Sequence, residues 1–279
     1  MTTTLRPVAP LQREPDGTVR LRPYEICVNG RPVGSLRIGT APGFGPTAGL
    51  LDGLTVAEAD RGRGRATVAL LAAEEELRGW GCTVARCTVP ADAAPAQRLA
   101  TALGWTEGGR NMVKHLPAVP PPLPAGVTAR PMTAEEYTAW EAASRTEYAR
   151  EWSTRGLSAE QARRKSEASH RDNLPEGLAT PGVFFGVVEA DGATAGHLWI
   201  SSGQAEPGAP GSFVFDVEVR PEFRGRGLGR ALMLLAERTA LASGHRLIGL
   251  HVFAGNTTAR RLYDSLGYTA TRQHWTKQL

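Results

Sequence analysis

The stretch that decides the fold is FVFDVEVRPEFRGRGLGR, residues 213–230. Its first part, 213–219, alternates acids with aromatic or β-branched residues, which is typical of a strand with two different faces. A glycine-rich turn follows, and the apolar spacing from Leu228 to about Ala242 predicts a helix. Amides without side chains converge at such a turn, and the helix N-terminus carries a partial positive charge. With its three arginines, the turn at 224–230 therefore favours a pyrophosphate.

Two other phosphate-binding motifs are excluded. No Gly-Lys-Ser/Thr follows the turn, so it is not a P-loop. Arg230 stands where the dinucleotide motif Gly-x-Gly-x-x-Gly needs its last glycine.

The turn occurs twice in the chain. Arg61–Gly64 repeats Arg224–Gly227 at an offset of 163 positions, and Leu103-Gly104 repeats Leu266-Gly267 at the same offset. A constant spacing over such a length indicates two copies of one unit.

A proline-rich stretch separates the two copies. Five prolines within residues 117–126 disfavour helix and central strand and predict a linker. We therefore expect domains at 1–116 and 127–279. The first copy has only about fifteen residues before its first long strand, too few for the two early helices that the second copy predicts, so it is truncated.

The pattern of the second copy predicts an α/β (α+β) fold with a mixed sheet. Thr133 and Ser158 are expected to cap helices that run to about Tyr148 and His170. Asp191-Gly192 predicts a hairpin between two strands. The fold class is thus two mixed-sheet domains in tandem, the first truncated.

Composition agrees with a globular chain of about two domains. The 279 residues are 41% hydrophobic and 22% charged, with a net charge of +4. That small charge disfavours a nucleic-acid partner, and no apolar run approaches the roughly 18–20 residues of a membrane span. We expect no signal peptide, and Cys27, Cys82 and Cys87 lack metal-ligand spacing. A cytoplasmic protein is expected.

Several motifs in order carry a resemblance to a known family. Arg224-x-x-Gly227-x-Gly229 resembles the Arg/Gln-x-x-Gly-x-Gly/Ala signature of the GNAT superfamily of acyl-CoA-dependent N-acyltransferases. The stretch from Leu262 to Tyr268, LYDSLGY, is similar to the end of that family's last helix. The order of elements from Val127 to Leu279 fits the family's whole unit.

The resemblance implies acetyl-CoA as the acyl donor. It implies that the fourth strand of the family unit hydrogen-bonds the pantetheine arm through its backbone, that the turn binds the pyrophosphate, and that an Asn after the fifth strand contacts the cofactor. The implied cofactor residues are Val217, Glu218, Val219, Arg224, Gly225, Arg226, Gly227, Leu228, Gly229, Arg230 and Asn256. No metal is expected.

The implied reaction is attack of a neutral amine on the thioester carbonyl. The resemblance places Tyr263 as the donor to the departing sulfur, since a phenol stays protonated at neutral pH. The proton acceptor stays open between His251, the acidic strand face with Asp216 and Glu218, and loss of the proton to bulk water. Acids and apolar residues are expected on opposite faces of that strand. In the family the pocket for the amine is usually built from the first two helices and the loops that face the cofactor. The aromatic residues there, such as Trp140, and Trp199 on the hairpin are more typical of a core and are not assigned to substrate binding.

The first copy lacks the polar pair of the second. Ala93 stands where the second copy has Asn256, and Ala100 where it has Tyr263. An alanine can neither donate a proton nor hydrogen-bond a carbonyl. We therefore expect the first copy to be degenerate and structural.

Three functions remain open from the sequence. The leading one is acetyl-CoA-dependent N-acetyltransfer to an amine of a small molecule or protein. A second keeps the fold but uses a longer acyl-CoA or a carrier-protein thioester. A third is a non-catalytic CoA-binding or scaffolding protein, which intact Asn256 and Tyr263 disfavour.

Overall fold

The computed structural model describes residues 2–14, 19–120, 122–154 and 157–279. The chain forms two compact units. Unit 1 contains the residues up to Gly108 together with Arg272–Leu279, and unit 2 contains Gly109–Thr271. Pro121 of the expected linker lies outside the described residues.

In its described residues, unit 1 contains a sheet and two α-helices. Its elements are β1 (Thr3–Pro7), β2 (Gln12–Arg13), β3 (Arg20–Val28), β4 (Arg31–Thr40), β5 (Ala48–Val56), α1 (Arg65–Gly79), β6 (Val84–Pro90) and α2 (Ala94–Ala102). The next strand, β7 (Thr106–His115), begins in this unit and continues into the other. The sheet order is β1-β3-β4-β5-β6, with β2 on β3. In the described residues nothing corresponds to the two early helices of unit 2, which confirms the truncation.

Unit 2 has the complete arrangement. Its elements are β8 (Val127–Pro131), α3 (Ala134–Thr154), α4 (Ala159–Asn173), β9 (Val183–Ala190), β10 (Ala193–Glu206), β11 (Ala209–Val219), α5 (Leu228–Ala242), β12 (Leu247–Phe253) and α6 (Thr257–Ser265), followed by β13 (Thr269–Gln278). The sheet order is β7-β12-β11-β10-β9-β8. Strands β11 and β12 are parallel and the other pairs are antiparallel, so the sheet is mixed as expected.

Most predicted elements of the second copy are confirmed. Helix α5 begins and ends where the pattern placed it, and Gly227, in the left-handed region just before it, sets its start. At the predicted hairpin, Asp191 and Gly192 have φ values of 54° and 76°, which suit a tight turn between strands. Ser158 caps α4 through a capping box. Helix α3 is longer than predicted and ends at Thr154.

Each unit is completed by the last strand of the other sequence copy. From Gly109 to His115, β7 pairs with β12 in unit 2. From Arg272 to Gln278, β13 pairs with β6 in unit 1. The units therefore differ from the expected limits of 1–116 and 127–279. The two strands sit in equivalent registers, 163 positions apart, so the pattern of each suits either sheet.

The exchanged strands are fixed in the cores by apolar packing and by one ion pair each. Met112 lies in the core of unit 2, and Trp275 lies in the core of unit 1. Lys114 pairs with Glu237 at 2.6 Å in unit 2, where the carboxylate is fully buried. In unit 1, Lys277 pairs with Glu74, also at 2.6 Å, and the Glu74 side chain is 2% exposed.

Membrane-spanning helices are absent from the described ranges, since no helix there is both long and apolar enough.

Candidate active site

The predicted site lies where β11 and β12 diverge. The two parallel strands pair only from Ser212–Ile248 to Val214–Leu250. Beyond these pairs, β11 continues to Val219 and β12 to Phe253. Beyond Val214 and Leu250, the N–H and C=O groups on the facing edges of β11 and β12 do not hydrogen-bond each other. They are therefore available to hydrogen-bond a ligand at this point.

The glycine-rich turn leads from β11 to an uncapped helix. Gly225 and Gly227 have φ values of 76° and 78°, and a Cβ built on either would meet no atom within 4 Å. Gly227 is the N-cap of α5 and has no side chain to bond the amides of the first turn. Those amides are therefore open to an anion. Leu228 contributes its amide only, because its side chain is buried in the core.

The three arginines of the turn each have a partner in the protein. The Nε of Arg224 donates to the carbonyl of Val219 at 3.2 Å, which closes the turn onto the end of β11. Arg226 pairs with Asp191 at 2.5 Å, and Arg230 donates to the Ser265 hydroxyl at 2.6 Å. Their side chains hold the loop and keep positive charge beside the amides.

Asn256 has a structural role in the described structure. It is the N-cap of α6, and its Oδ1 accepts the Ala259 amide at 3.0 Å. The predicted cofactor contact therefore falls to the side-chain Nδ2, which can only donate.

Tyr263 lies on α6 in the core of unit 2 and is 8% exposed. Burial, with a smaller contribution from the negative charge of Asp216, raises the pKa of Tyr263 to about 12. The hydroxyl therefore stays protonated across the physiological range and can act as a donor.

His251 is engaged with β7. Its Nδ1 lies 2.9 Å from the Asn111 Oδ1, so this nitrogen donates and Nε2 is the acceptor. Gly109 has no Cβ, and one built there would lie 2.8 Å from the His251 Nε2. The glycine therefore makes room for the ring. The structure directs both ring nitrogens of this predicted base toward β7.

Glu218 belongs to a polar cluster on the opposite face of β11 from Val217 and Val219. The Glu218 side chain is 55% exposed, and its Oε2 is 3.8 Å from the Nε2 of His197. The same Nε2 donates to the Asp216 Oδ2 at 2.9 Å. The indole Nε1 of Trp140, on α3, donates to that oxygen at 2.9 Å as well.

Phe215 departs from the predicted alternation. The β10–β11 register passes from Trp199–Asp216 to Ile200–Val214, so Phe215 is the extra residue of a β-bulge. Its ring stacks on Trp199 at 4.5 Å instead of joining the apolar face. Val217 and Val219 do pack against the core, as expected.

Sequence reasoning missed His197 and left Trp140 unassigned. His197 and Trp199 are two residues apart on β10 and therefore lie on the same face of the strand. The antiparallel register that brings His197 opposite Glu218 cannot be read from the sequence of β10 alone. The contact from Trp140 depends on how α3 packs. The available signal was a histidine on β10, the strand next to β11 with its two acids, which could have indicated that His197 lies close to them.

Metal-binding clusters of three or more His, Cys, Asp or Glu residues are not found in the described part of the chain.

Comparison with known proteins agrees with this geometry. The profile of the acetyltransferase (GNAT) family matches twice, at residues 5–105 and 139–268. An uncharacterized N-acetyltransferase of Bacillus subtilis, YdgE, is 31% identical over 154 residues, which are 54% of this chain and 98% of that protein. A mycothiol acetyltransferase of Thermobispora bispora is 33% identical over 218 residues, covering 75% of this chain and 69% of that protein.

Solved structures share the fold. A tandem GNAT protein from the clavulanic acid biosynthesis pathway aligns over 94% of this chain and 83% of its own, with a TM-score of 0.51 and 23% identity. A GCN5-related N-acetyltransferase from Sphaerobacter thermophilus aligns over 92% and 80%, with a TM-score of 0.59 and 20% identity. The two profile matches together span more than half of the chain, and they show that it is an acyltransferase of the GNAT family with two copies of the family's domain.

Proposed function

We propose that unit 2 transfers an acetyl group from acetyl-CoA to a primary amine by direct attack on the thioester. The observation that carries the proposal is the diverging end of β11 and β12, which leads straight into the uncapped glycine turn. The family uses acetyl-CoA as a substrate, and this arrangement suits its long phosphorylated arm.

The residues present fit that donor. The amides from Gly225 to Gly229 would bind the pyrophosphate, with Arg226 and Arg230 beside it. The backbone of Val217, Glu218 and Val219 would hold the pantetheine arm where β12 no longer pairs. Asn256 would donate its Nδ2 to the same arm.

The reaction balances without a further reactant. The ammonium loses one proton, its nitrogen bonds to the carbonyl carbon, and the carbon–sulfur bond breaks. The nitrogen loses a second proton and the sulfur gains one, so one proton is released to solution. Backbone amides at the strand end stabilise the developing oxyanion.

Tyr263 would donate a hydrogen bond to the departing sulfur. Its pKa of about 12 lies above the value of about 8.5 for a free thiol. The phenol therefore stabilises the thiolate chiefly as a hydrogen-bond donor, and the sulfur can take its proton from solvent afterwards.

Glu218 is the first candidate for proton acceptor, because it is exposed at the strand end. His251 is the second, because its Nε2 is the acceptor nitrogen of the ring, although this nitrogen lies against Gly109 of β7. Variants Glu218→Gln and His251→Asn distinguish the two candidates. In the parent enzyme kcat/KM should rise with pH as the base loses its proton, and the variant that lacks the true base should no longer show this rise. If both variants keep that rise, the amine loses its proton to bulk water.

The relatives named mycothiol acetyltransferase favour a small-molecule acceptor over a protein amine.

The test is thiol release from acetyl-CoA across a panel of primary amines, with product masses measured. We expect an amine-dependent gain of one acetyl group in the product. Longer acyl-CoA esters and an acylated carrier protein form separate arms, which test the alternative donors. CoA binding without release from any donor would favour a scaffolding protein instead.

A further inference from the structure

Two side-chain hydrogen-bond donors hold the Asp216 carboxylate in place. Neither donor has a role in the proposed reaction. The carboxylate Oδ2 accepts from the Trp140 indole at 2.9 Å and from the His197 imidazole at 2.9 Å. The donors come from a helix and from the neighbouring strand, so the carboxylate is clamped from two sides. One third of the Asp216 side chain is nevertheless exposed.

This carboxylate is charged at neutral pH. Burial by itself would raise the pKa of Asp216, but the hydrogen bond and charge of His197, together with the Trp140 indole, outweigh burial and lower the pKa. A clamped, ionised and partly exposed carboxylate is a suitable partner for an ammonium group.

A second carboxylate stands beside it. Glu218 follows Asp216 by two residues on the same strand face, which places the two side chains about 7 Å apart along the strand. The Glu218 side chain is 55% exposed. Two negative groups with one imidazole between them leave an excess of negative charge for a cation.

An aromatic stack ends at the same place. Phe185 stacks on Trp199 at 5.6 Å, and Trp199 stacks on Phe215 at 4.5 Å with an interplanar angle of 17°. The first two rings are buried, but Phe215 is 41% exposed. Phe213 packs edge-on against Phe215 at 5.0 Å, and the exposed part of the Phe215 ring is available to a further flat group.

We propose that the acceptor is a primary amine on a flat apolar group, with its ammonium bound by Asp216 and its body laid on Phe215. Trp140 and His197 are positioning residues that hold Asp216 in the binding orientation. The proposal deepens the proposed function, since it assigns the acceptor side of that same site.

The charge and the ring are both needed for this recognition. An ammonium on Asp216 gains a charge-assisted hydrogen bond in a partly desolvated setting. A flat body on Phe215 removes apolar surface from water. A small alkyl amine has only the first contribution, and an aromatic alcohol has only the second.

The test is calorimetric titration of the full-length protein, saturated with CoA, with 2-phenylethylamine, 2-phenylethanol and ethylamine. We expect 2-phenylethylamine to bind at least about tenfold more tightly than either comparison compound. Asp216→Asn, which keeps the size of the side chain, should weaken its binding by at least about tenfold. Phe215→Ala should weaken it as well.

The positioning residues are tested by replacements that remove a single donor. Trp140→Phe keeps an aromatic ring but deletes the indole N–H, and it should raise the Kd for the amine while leaving the Kd for CoA unchanged. Trp152→Phe, on the same helix, is the matched control and should change neither. His197→Gln retains a donor and should restore more binding than His197→Ala.

Equal affinity of the parent protein and Asp216→Asn for 2-phenylethylamine would overturn the assignment, as would equal binding of the amine and the alcohol. Failure of the proposed function is separate, because it would appear as absent CoA binding or absent transfer to every amine of the panel. Transfer to other amines without binding of the aromatic one would reject only this inference.

Discussion

The two units share one turn geometry but differ in the side chains around it. In unit 1, the Arg61 Nε donates to the Val56 carbonyl at 2.9 Å, as Arg224 does to Val219 at 3.2 Å in unit 2. Gly64 and Gly227 are both left-handed N-caps, with φ values of 71° and 78°. Parallel strands β5 and β6 also pair only briefly, from Ala48 to Leu51 of β5, which then continues to Val56 paired with β4 but not with β6.

The differences concern the side chains that we propose for the chemistry. The cross-strand pair His197–Glu218 of unit 2 corresponds to Ser35–Thr55 in unit 1, whose hydroxyls bond each other at 3.1 Å. Ala100 is a buried core residue where unit 2 has Tyr263. The two units therefore share the backbone geometry of the turn, whereas the side chains proposed for catalysis are present in unit 2 and replaced in unit 1.

The largest effect is expected from removing residues 1–116. Unit 2 then loses β7 and with it Met112 and the Lys114–Glu237 pair, and β13 loses its sheet partner. The fragment 117–279 should be insoluble or clearly less stable than the whole chain in urea unfolding. A soluble and fully active fragment would show that unit 2 needs nothing from the first copy.

Tyr263→Phe should lower kcat by about 10²–10³-fold with little change in the KM for acetyl-CoA, because only the hydrogen-bond donor to the developing thiolate is lost. The matched control is Tyr268→Phe, a buried tyrosine whose ring lies 5.9 Å from that of Tyr263. The control should stay near the parent kcat in steady-state assays. An unchanged kcat in Tyr263→Phe, with chemistry rate-limiting, would show that Tyr263 only packs in the core.

The buried ion pairs of the exchanged strands should have similar effects in both units. Lys114→Met leaves Glu237 buried without its cation, and Lys277→Met does the same to Glu74. Each should lower the free energy of unfolding by about 3–5 kcal/mol, measured by urea titration. Lys114→Met with Glu237→Gln should recover part of the loss. Near-parental stability of either single variant would mean that these pairs do not secure the exchange.

The smallest effect concerns α3, which unit 1 lacks. Hydrogen bonds from Arg130 lower the pKa of Glu136 to about 2. Because the pKa is lowered on folding, this stabilisation is present above the ordinary value and is lost as pH falls from about 4.5 toward 2. Glu136→Gln should therefore reduce the stability difference between pH 7 and pH 3 by about 1 kcal/mol after solvent screening. Glu160→Gln, in an exposed pair with Arg164, is the control and should leave that difference unchanged.

Local features of the fold could be predicted from the sequence. Gly227 and the Asp191-Gly192 pair readily adopt the positive φ values that such turns need, so the turn and the hairpin were predictable from local sequence. The repeat predicted the tandem arrangement. The strand exchange could not be predicted, because β7 and β13 carry the same pattern, including Lys114 and Lys277, and either suits either sheet.

The sequence predicted which residues of the candidate site lie together on one strand, but not the contacts between different strands and helices. The acids of β11 were visible, but the bulge at Phe215 and the clamp on Asp216 depend on the pairing of β10 and the packing of α3. Likewise, His251 was a reasonable base in isolation, and its engagement with Asn111 arises from a strand of the other copy.

The most direct test of the claim that unit 2 alone carries the transfer is a pair of glycine variants. Gly64→Glu and Gly227→Glu place the same side chain at the same left-handed N-cap, with no atom within 4 Å of the new Cβ in either case, so backbone strain is matched. Calorimetric titration with CoA, beside thiol release from acetyl-CoA, should show parental affinity and turnover for Gly64→Glu and loss of both for Gly227→Glu. Parental CoA affinity in Gly227→Glu, or lost turnover in a well-folded Gly64→Glu protein, would contradict the account.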